Sequence, residues 1–377
     1  MMMNKTEQTY EYAVKAAGRV NLIGEHVDYC GGKVLPAALS VGNTVRIRKN
    51  GTDRINLRWT DIPDEISLDT RDLEKYKGVK YADYFAACAW ALQQQGIPLL
   101  GCDVLSDCTV PFGSGLSSSA AIEVSFITAL LTLAGQRIDK VQVALAALKA
   151  EREYVGMNCG VMDQYASACG KKEYAMLLDC ATLACEYVPV ELGDYALVIA
   201  NSNKPHSLVV SKYNERRAES EEALFLLQQR FAVRHLAEIT PEEFRSAETL
   251  LPPVLQKRAR HVVEECARVT QAVGAMKRGD VTTLGALLRE SHRSLRDLYE
   301  VTGKELDALA DAANAFPGCA GSRMTGGGFG GSTVSLVQTS AIPEFERFVT
   351  SRYAQEIGYA PTFTLADISD GIVINKE

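Results

Sequence analysis

Apolar and polar residues alternate through much of the first third of the chain, a pattern typical of strands with one buried face. A helical spacing of three and four interrupts this pattern at residues 84–95, and Gly96-Ile97-Pro98 ends that predicted helix. The alternation predicts strands over residues 10–15, 44–48, 55–59 and 101–110. The first third therefore combines a sheet with at least one helix.

A glycine- and serine-rich turn follows the fourth predicted strand and opens a helix over residues 120–134, which Gly135 ends. Asp139 is a suitable N-cap for the next helix, predicted to run to about residue 154. Strand patterns return between residues 173 and 198. This order of elements predicts a mixed α/β arrangement.

Long helical tracts dominate the second half, each with apolar positions that recur on one face. They are predicted over residues 210–231, 255–278, 284–300 and 304–316, before a glycine-rich turn and a strand over 332–337. A polar stretch at 201–206 is the best candidate for a domain junction. We therefore predict two domains, 1–200 and 201–377, with the last strand able to pack back on the first domain.

Composition and charge narrow the function classes. The 377 residues carry 40 basic and 47 acidic side chains, a net charge of −7 that argues against a nucleic-acid partner. The longest apolar stretch contains Glu123 and is too short to span a bilayer. Because the first twelve residues form no apolar leader, a cytoplasmic location is predicted. The ten cysteines form no CxxC pair and no cluster with histidine, so reduced thiols are expected and no transition-metal site is indicated.

The turn at residues 110–121 is the most informative short stretch. Gly113 and Gly115 let backbone approach a ligand closely, and Ser117, Ser118 and Ser119 stand where a helix begins. The unpaired N–H groups of a first helical turn bind anions, so phosphate binding is favoured over simple capping by serine. The turn is not a Walker A loop, because no Lys-Ser or Lys-Thr follows the glycines.

A second glycine-rich turn, at residues 326–331, formally contains G-x-G-x-x-G. A dinucleotide site requires a strand before this motif and a helix after it. Here a helix-type segment is predicted before the turn and a strand after it, so the motif is a weak signal. A turn next to a ligand and a tight crossing of two elements are equally compatible with it.

Hydrogen-bonding side chains are concentrated at residues 18–29, where arginine, asparagine, glutamate, histidine and aspartate stand between glycines. Such a loop suits a polyhydroxylated ligand, because carboxylates accept hydrogen bonds from sugar hydroxyls. A solvated loop is the alternative. Asp163 lies further along in a mostly apolar setting, where a carboxylate needs a partner or a function, and Glu151 precedes it by twelve residues.

These motifs resemble those of galactokinases in the GHMP small-molecule kinase family. Residues 18–35 are similar to the family's sugar-binding signature, 111–121 to its phosphate-binding loop and 324–333 to its third, glycine-rich motif, and residues 201–217 also fit the pattern. The resemblance implies an α+β fold with two domains, an N-terminal α/β domain carrying the sugar and ATP sites and a ferredoxin-like C-terminal domain. It also implies transfer of phosphate from ATP to the C1 hydroxyl of D-galactose.

The resemblance assigns a role to individual residues. Asp163 would be the base and Arg19 would stabilise the transferring charge, while Ser119 and Glu151 would hold Mg²⁺. The phosphate loop would bind the nucleotide. The implied sugar-binding residues are Glu25, His26, Val27, Asp28, Gly160 and Tyr213, and the implied nucleotide-binding residues are Gly113, Ser114, Gly115, Leu116, Ser117, Ser118 and Ser119.

Galactose and ATP are thus the expected small-molecule partners, and no protein partner can be inferred. Ala17, Val27 and Cys30 depart from the family's usual residues but remove none of the implied catalytic groups. Two alternatives stay open: a sibling kinase for N-acetylgalactosamine or L-arabinose, and a non-catalytic sensor of galactose and ATP. A sensor has no need of a base, so the presence of Asp163 and Arg19 favours an enzyme.

Overall fold

In the computed structural model, the described residues 9–111, 113–204 and 209–377 form three sheets and ten α-helices. The strands are β1 (Tyr12–Asn21), β2 (Lys33–Val34), β3 (Pro36–Lys49), β4 (Arg54–Trp59), β5 (Ile66–Asp69), β6 (Cys102–Cys108), β7 (Tyr174–Asp179), β8 (Cys185–Pro189), β9 (Tyr195–Asn201), β10 (Cys319–Thr325), β11 (Ser332–Gln338), β12 (Thr362–Leu365) and β13 (Val373–Lys376). The helices are α1 (Asp83–Gln94), α2 (Ser118–Leu133), α3 (Lys140–Lys149), α4 (Met162–Cys169), α5 (Val209–Leu227), α6 (Pro241–Ala247), α7 (Pro253–Lys277), α8 (Val281–Ser294), α9 (Gly303–Asn314) and α10 (Ile342–Ile357).

The first sheet has the order β13-β1-β3-β6-β4-β5, and all its neighbours are antiparallel except β4 and β6. Strand β13 comes from the end of the chain and pairs with β1, so the last strand does pack back on the first sheet. Helix α2 lies against β1 and β3. Its buried residues share one apolar core with α1, which fixes the start of α2 relative to the end of β1.

The second sheet has the order β10-β11-β9-β12 and is antiparallel throughout. Strand β9 ends at Asn201 and pairs with β11 and β12, so it belongs to this sheet although six of its seven residues precede the predicted boundary at residue 200/201. The predicted junction at residues 201–206 lies only partly within the described residues. Strand β10 corrects the sequence analysis, which predicted a helix-type segment before the second glycine-rich turn.

Several predicted elements are confirmed. Helix α1 occupies the predicted span to within one residue, and Asp139 caps α3 by accepting hydrogen bonds from the N–H groups of Val141 and Gln142. Helix α3 continues as a π-helical turn over Ala150–Val155, and α8 continues in the same way over Leu295–Tyr299. Among the described residues no helix is both long enough and apolar enough to cross a membrane.

A fully buried ion pair joins the two sheets. Arg323 on β10 donates from Nη2 to the carboxylate of Glu25 over 2.5 Å, and from Nη1 to the carbonyl oxygens of Asn21 and Leu22 at the end of β1. The Arg323 side chain is 0% exposed and that of Glu25 is 1% exposed. A charge buried so completely requires a partner of opposite charge. The contact between the first sheet, which Glu25 follows, and the second sheet, which carries Arg323, therefore supplies that partner to both charges.

We predict that Arg323→Met lowers the free energy of unfolding by about 3–5 kcal/mol, because it leaves the buried Glu25 carboxylate without its cation. The matched control is Arg245→Met, which removes an arginine that is 64% exposed and pairs with Glu242 on α6. That change should cost at most about 1 kcal/mol. Denaturant unfolding of both variants measures the difference, and equal destabilisation would contradict a structural role for the buried pair.

Candidate active site

A buried cavity lies where the end of β1, the N-terminus of α2, the start of α4, helix α5 and the β10–β11 turn meet. Its walls carry acids, a guanidinium group and an imidazole beside sulfur-containing and aromatic side chains. The lining residues are Arg19, Glu25, His26, Asp28, Ser119, Glu151, Met157, Cys159, Met162, Asp163, Tyr213, Gly326 and Gly327. The cavity therefore unites most of the predicted catalytic and sugar-binding residues from segments far apart in the sequence.

Arg19 and Asp163 form a two-pronged ion pair in this cavity. Arg19 donates from Nε to Oδ1 of Asp163 over 2.9 Å and from Nη2 to Oδ2 over 2.8 Å, and its Nη1 donates to the carbonyl oxygen of Gly115 over 2.7 Å. A register shift in β1 between Ala17 and Arg19 brings this arginine against the phosphate loop. The Asp163 side chain, in the first turn of α4, remains 27% exposed while that of Arg19 is only 4% exposed. The carboxylate is thus held by a cation yet open to a ligand.

The turn predicted to bind phosphate, here called the phosphate loop (residues 113–117), leads into α2, whose first helical residue is Ser118. Gly113 and Gly115 adopt φ of +69° and +70°, the left-handed conformation that glycine reaches without steric cost. Leu116 is buried and its carbonyl oxygen accepts a hydrogen bond from the Arg19 N–H, while the carbonyl oxygen of Ser114 accepts one from Ser332. The start of α2 therefore has the geometry of an anion site.

Ser119 and Glu151 lie together on one wall of the cavity. Glu151 projects from the π-helical turn after α3, is buried and accepts hydrogen bonds from the side-chain amide of Gln164 and from the thiol of Cys159. Burial, and secondly the charge of Asp163, raise the pKa of Glu151 to about 7. A hydroxyl and a carboxylate with no arginine or lysine bonded to the carboxylate form a donor set that suits a hard cation.

The sequence analysis did not identify a second acid, which lies next to Glu151. Glu123 lies one turn after Ser119 on α2, is fully buried and is bonded to the amide of Gln164 over 3.3 Å. Burial and the neighbouring Glu151 raise the pKa of Glu123 well above its ordinary value. Only the four-residue spacing from Ser119 could have indicated that Glu123 faces the same wall.

Asp28 faces Asp163 from the other side of the cavity. Its Oδ1 accepts a hydrogen bond from the N–H of Tyr29 over 2.9 Å. Burial, followed by the charge of Asp163, raises the pKa of Asp28 to about 6. A Cβ at Gly160 would overlap the Asp28 carboxylate, so this position admits only glycine. Two acids brought so close in a buried site favour a ligand that donates hydrogen bonds.

His26 lies among the rings of Tyr29, Tyr213 and Tyr299, of which the sequence analysis named only Tyr213. Its Nδ1 is bonded to the hydroxyl of Tyr29 and its Nε2 to the carbonyl oxygen of Gly327, while its ring lies 5.2 Å from that of Tyr213. Burial lowers the pKa of His26 to about 3, so the imidazole is neutral at pH 7. The hydroxyl of Tyr29 in turn bonds that of Tyr299, a residue that the sequence analysis did not identify.

Glu25 lies at the floor of the cavity, and protein donors surround both of its oxygens. Oε2 accepts from Asn21 and Arg323, and Oε1 from the N–H of Gly326 and the hydroxyl of Thr325. Burial raises the pKa of Glu25, and Arg323 opposes that effect. Val27, predicted with it as a sugar contact, is fully buried in the apolar core and does not line the cavity.

The second glycine-rich turn is both a tight crossing and part of the cavity wall. Gly326 and Gly327 line the cavity, and a Cβ at Gly326 would come within 2.8 Å of the carbonyl oxygen of Gly115. The φ of Gly326 is +83°. The turn joins two antiparallel strands, β10 and β11, so no helix follows it and it is not a dinucleotide site.

Family models match three parts of the chain. The galactokinase galactose-binding signature matches residues 4–49, the GHMP kinases N terminal domain matches 83–171, and the GHMP kinases C terminal region matches 272–355. These spans include the acid-rich loop, the phosphate loop and the second glycine-rich turn.

Curated relatives and solved structures agree with these matches. A galactokinase of Clostridium tetani is 43% identical over 94% of this chain and 91% of its own, and one of Enterococcus faecalis is 42% identical over 94% and 93%. The crystal structure of Lactococcus lactis galactokinase complexed with galactose superposes with a TM-score of 0.95 at 39% identity, covering 98% of this chain and 96% of the other. A mevalonate kinase structure, at 18% identity and a TM-score of 0.66, shares the fold. The chain, with its mixed helix and sheet architecture, belongs to the galactokinase family of the GHMP kinases.

Proposed function

We propose that this protein transfers the γ-phosphoryl group of ATP to the C1 hydroxyl of D-galactose, giving galactose 1-phosphate and ADP. The observation that carries the proposal is the Arg19–Asp163 pair, which faces a cavity of sugar-compatible acids at the edge of the phosphate loop. Phosphoryl transfer is catalysed mainly by positioning and by stabilising charge, and this site offers groups for both.

In this proposal Asp163 accepts the proton of the C1 hydroxyl as the oxygen of that hydroxyl bonds to the γ-phosphorus and the bond from the γ-phosphorus to the β–γ bridging oxygen breaks. Asp163 suits the role because it is ionically paired, partly exposed and aimed into the cavity. Arg19 holds the carboxylate by two hydrogen bonds and brings positive charge beside the phosphate loop through Gly115. The N-terminus of α2 supplies N–H groups for the phosphates, with Gly113 to Ser119 forming the cradle.

Mg²⁺ fits one wall of this site. Ser119 and Glu151 offer two oxygen ligands, and Mg²⁺ typically takes few protein ligands and completes its shell with substrate phosphates and water. When bound there, Mg²⁺ would neutralise charge on the triphosphate.

We assign recognition of the sugar to Asp28, Glu25, His26 and Tyr213, with Gly160 giving the sugar room to approach. Asp28 is the main acceptor, because within the described part of the chain only its Oδ1 has a protein donor within hydrogen-bond distance. Glu25 contributes by shaping the cavity floor, because four protein donors already occupy both of its oxygens. ADP release measured with galactose, glucose, N-acetylgalactosamine and L-arabinose tests the proposal, and absence of ADP release with galactose would overturn it.

Asp163→Asn should keep fold and galactose binding but lose on the order of 10²- to 10⁴-fold in kcat, because the amide cannot accept the proton. Calorimetric titration with galactose and steady-state kinetics measure the two properties separately. Asp103→Asn is the control, since Asp103 forms a comparable ion pair with Arg48 on the first sheet, away from the cavity. Near-normal kcat in Asp163→Asn would exclude Asp163 as the base.

Ser119→Ala and Glu151→Gln should each raise the Mg²⁺ concentration required for half-maximal rate, because each removes one oxygen ligand or its charge. Galactose binding measured without nucleotide should not change. If the Mg²⁺ dependence of both variants equals that of the unmodified protein, the cation is held elsewhere. A role of Ser119 in stabilising α2 alone would instead lower stability by about 1 kcal/mol without altering that dependence.

Asp28→Ala should weaken galactose binding and narrow the preference for galactose over glucose, which differ only at C4. A buried acceptor that pairs with the galactose hydroxyl is left unpaired by the epimer, which penalises glucose. The ratio of kcat/KM for the two sugars measures the preference. An unchanged ratio would remove Asp28 from C4 recognition while leaving the kinase activity in place.

A further inference from the structure

Ser117 adopts a backbone conformation that serine seldom takes. Its φ and ψ are +60° and +53°, in the left-handed region that favours glycine, although it occupies the N-cap position of α2. N-cap serines normally have extended backbone angles and accept a hydrogen bond from an N–H of the first turn. The Ser117 side chain makes no such bond. Neither backbone conformation nor capping therefore accounts for a serine at this position.

The hydroxyl of Ser117 is directed instead at the catalytic carboxylate. Its Oγ donates to Oδ2 of Asp163 over 2.5 Å, and the residue is only 7% exposed. A short O–H···O⁻ bond in a buried place is of the strong, charge-assisted kind. The chain thus accepts an unfavourable backbone geometry at Ser117 and gains a hydrogen bond to Asp163.

The two oxygens of Asp163 are consequently unequal. Oδ2 accepts from both Ser117 and Nη2 of Arg19, whereas Nε of Arg19 is the one donor to Oδ1 among the residues that the structure describes. A carboxylate oxygen has two lone pairs, so two donors saturate Oδ2 and one lone pair of Oδ1 remains for a further donor. The free lone pair is the one available to a sugar hydroxyl.

We propose that Ser117 is a positioning residue: its hydroxyl saturates Oδ2 of Asp163 and thereby directs Oδ1 toward the C1 hydroxyl of the sugar. This inference rests on the proposed kinase function and gives the Ser117 hydroxyl a role in addition to the nucleotide binding predicted for Ser117 from the sequence. It also couples the phosphate loop to the base, since the same loop holds Arg19 through the carbonyl oxygen of Gly115. Sugar and phosphate groups are then aligned by one rigid unit.

The test uses two variants that lack the hydroxyl but differ in backbone preference, Ser117→Ala and Ser117→Gly. Both should lose kcat by on the order of 10- to 100-fold, because a misoriented base lowers the rate without removing the chemistry. The galactose dissociation constant and the KM for ATP should stay within about twofold of the unmodified values. Ser117→Gly should melt at a higher temperature than Ser117→Ala, because both lack the hydroxyl and glycine takes positive φ freely.

Ser125→Ala is the matched control, since Ser125 is a buried serine on the same helix and its hydroxyl accepts from Asn43 over 2.8 Å, away from the cavity. It should melt at a lower temperature and keep its kcat. A normal kcat in Ser117→Gly would overturn the inference. A raised KM for ATP at unchanged kcat in either Ser117 variant would also overturn it. So would a loss of kcat in Ser125→Ala equal to that in the Ser117 variants. Absence of ADP release by the unmodified protein would instead overturn the proposed function and the inference with it.

Discussion

The Glu25 carboxylate is the point on which the arrangement of the two sheets and the cavity depends. An anion removed from water must recover its hydration energy from protein donors, and Glu25 does so only by drawing on both halves of the chain. Asn21 comes from the first sheet, whereas Arg323, Thr325 and the N–H of Gly326 come from the end of β10. The same contact that satisfies the charge places the second glycine-rich turn against the phosphate loop. The cavity is thus complete only when the sheets are docked.

Departures from regular helix geometry bring the remaining groups into the cavity. Each π-helical turn carries one residue of this region: Glu151, in the turn after α3, lines the cavity, and Tyr299, which ends the turn after α8, bonds the hydroxyl of Tyr29. The extra residue in such a turn changes the direction of the following side chains, which is why π turns recur at functional sites. Asp163 enters on α4, an eight-residue helix whose N-terminus favours an anion in its first turn. The irregular turn after α3 thus positions Glu151, the short helix α4 positions Asp163, and the regular elements around them keep both segments in place.

The sequence predicts the periodic elements well and the contacts between distant segments poorly. Helix α1 and strand β4 have clear periods, and both appear where the pattern places them. Strand β10 was missed because its polar residues Ser322 and Arg323 are buried and bonded to partners, which removes the alternation that identifies a strand. The short helix α4 has neither an apolar period nor a side-chain cap. The family resemblance supplied the roles of Arg19 and Asp163, but no local pattern could show that Ser117 contacts a carboxylate 46 residues away.

Three of the eight non-glycine residues with positive φ in the described part of the chain lie around the same cavity. His26, Ser117 and Phe329 all take left-handed conformations without being glycine, and each lies on one of the three loops that form the site. Such conformations persist only where the surroundings fix them: His26 is bonded through both ring nitrogens, Ser117 through its hydroxyl, and Phe329 through its N–H to Val301. Replacing any of them by glycine would relax the backbone but lose the side chain that the strain positions. The unfavourable backbone conformations of these loops lower the stability of the protein, but they place the side chains that hold the base, the sugar pocket and the phosphate loop in fixed positions relative to one another.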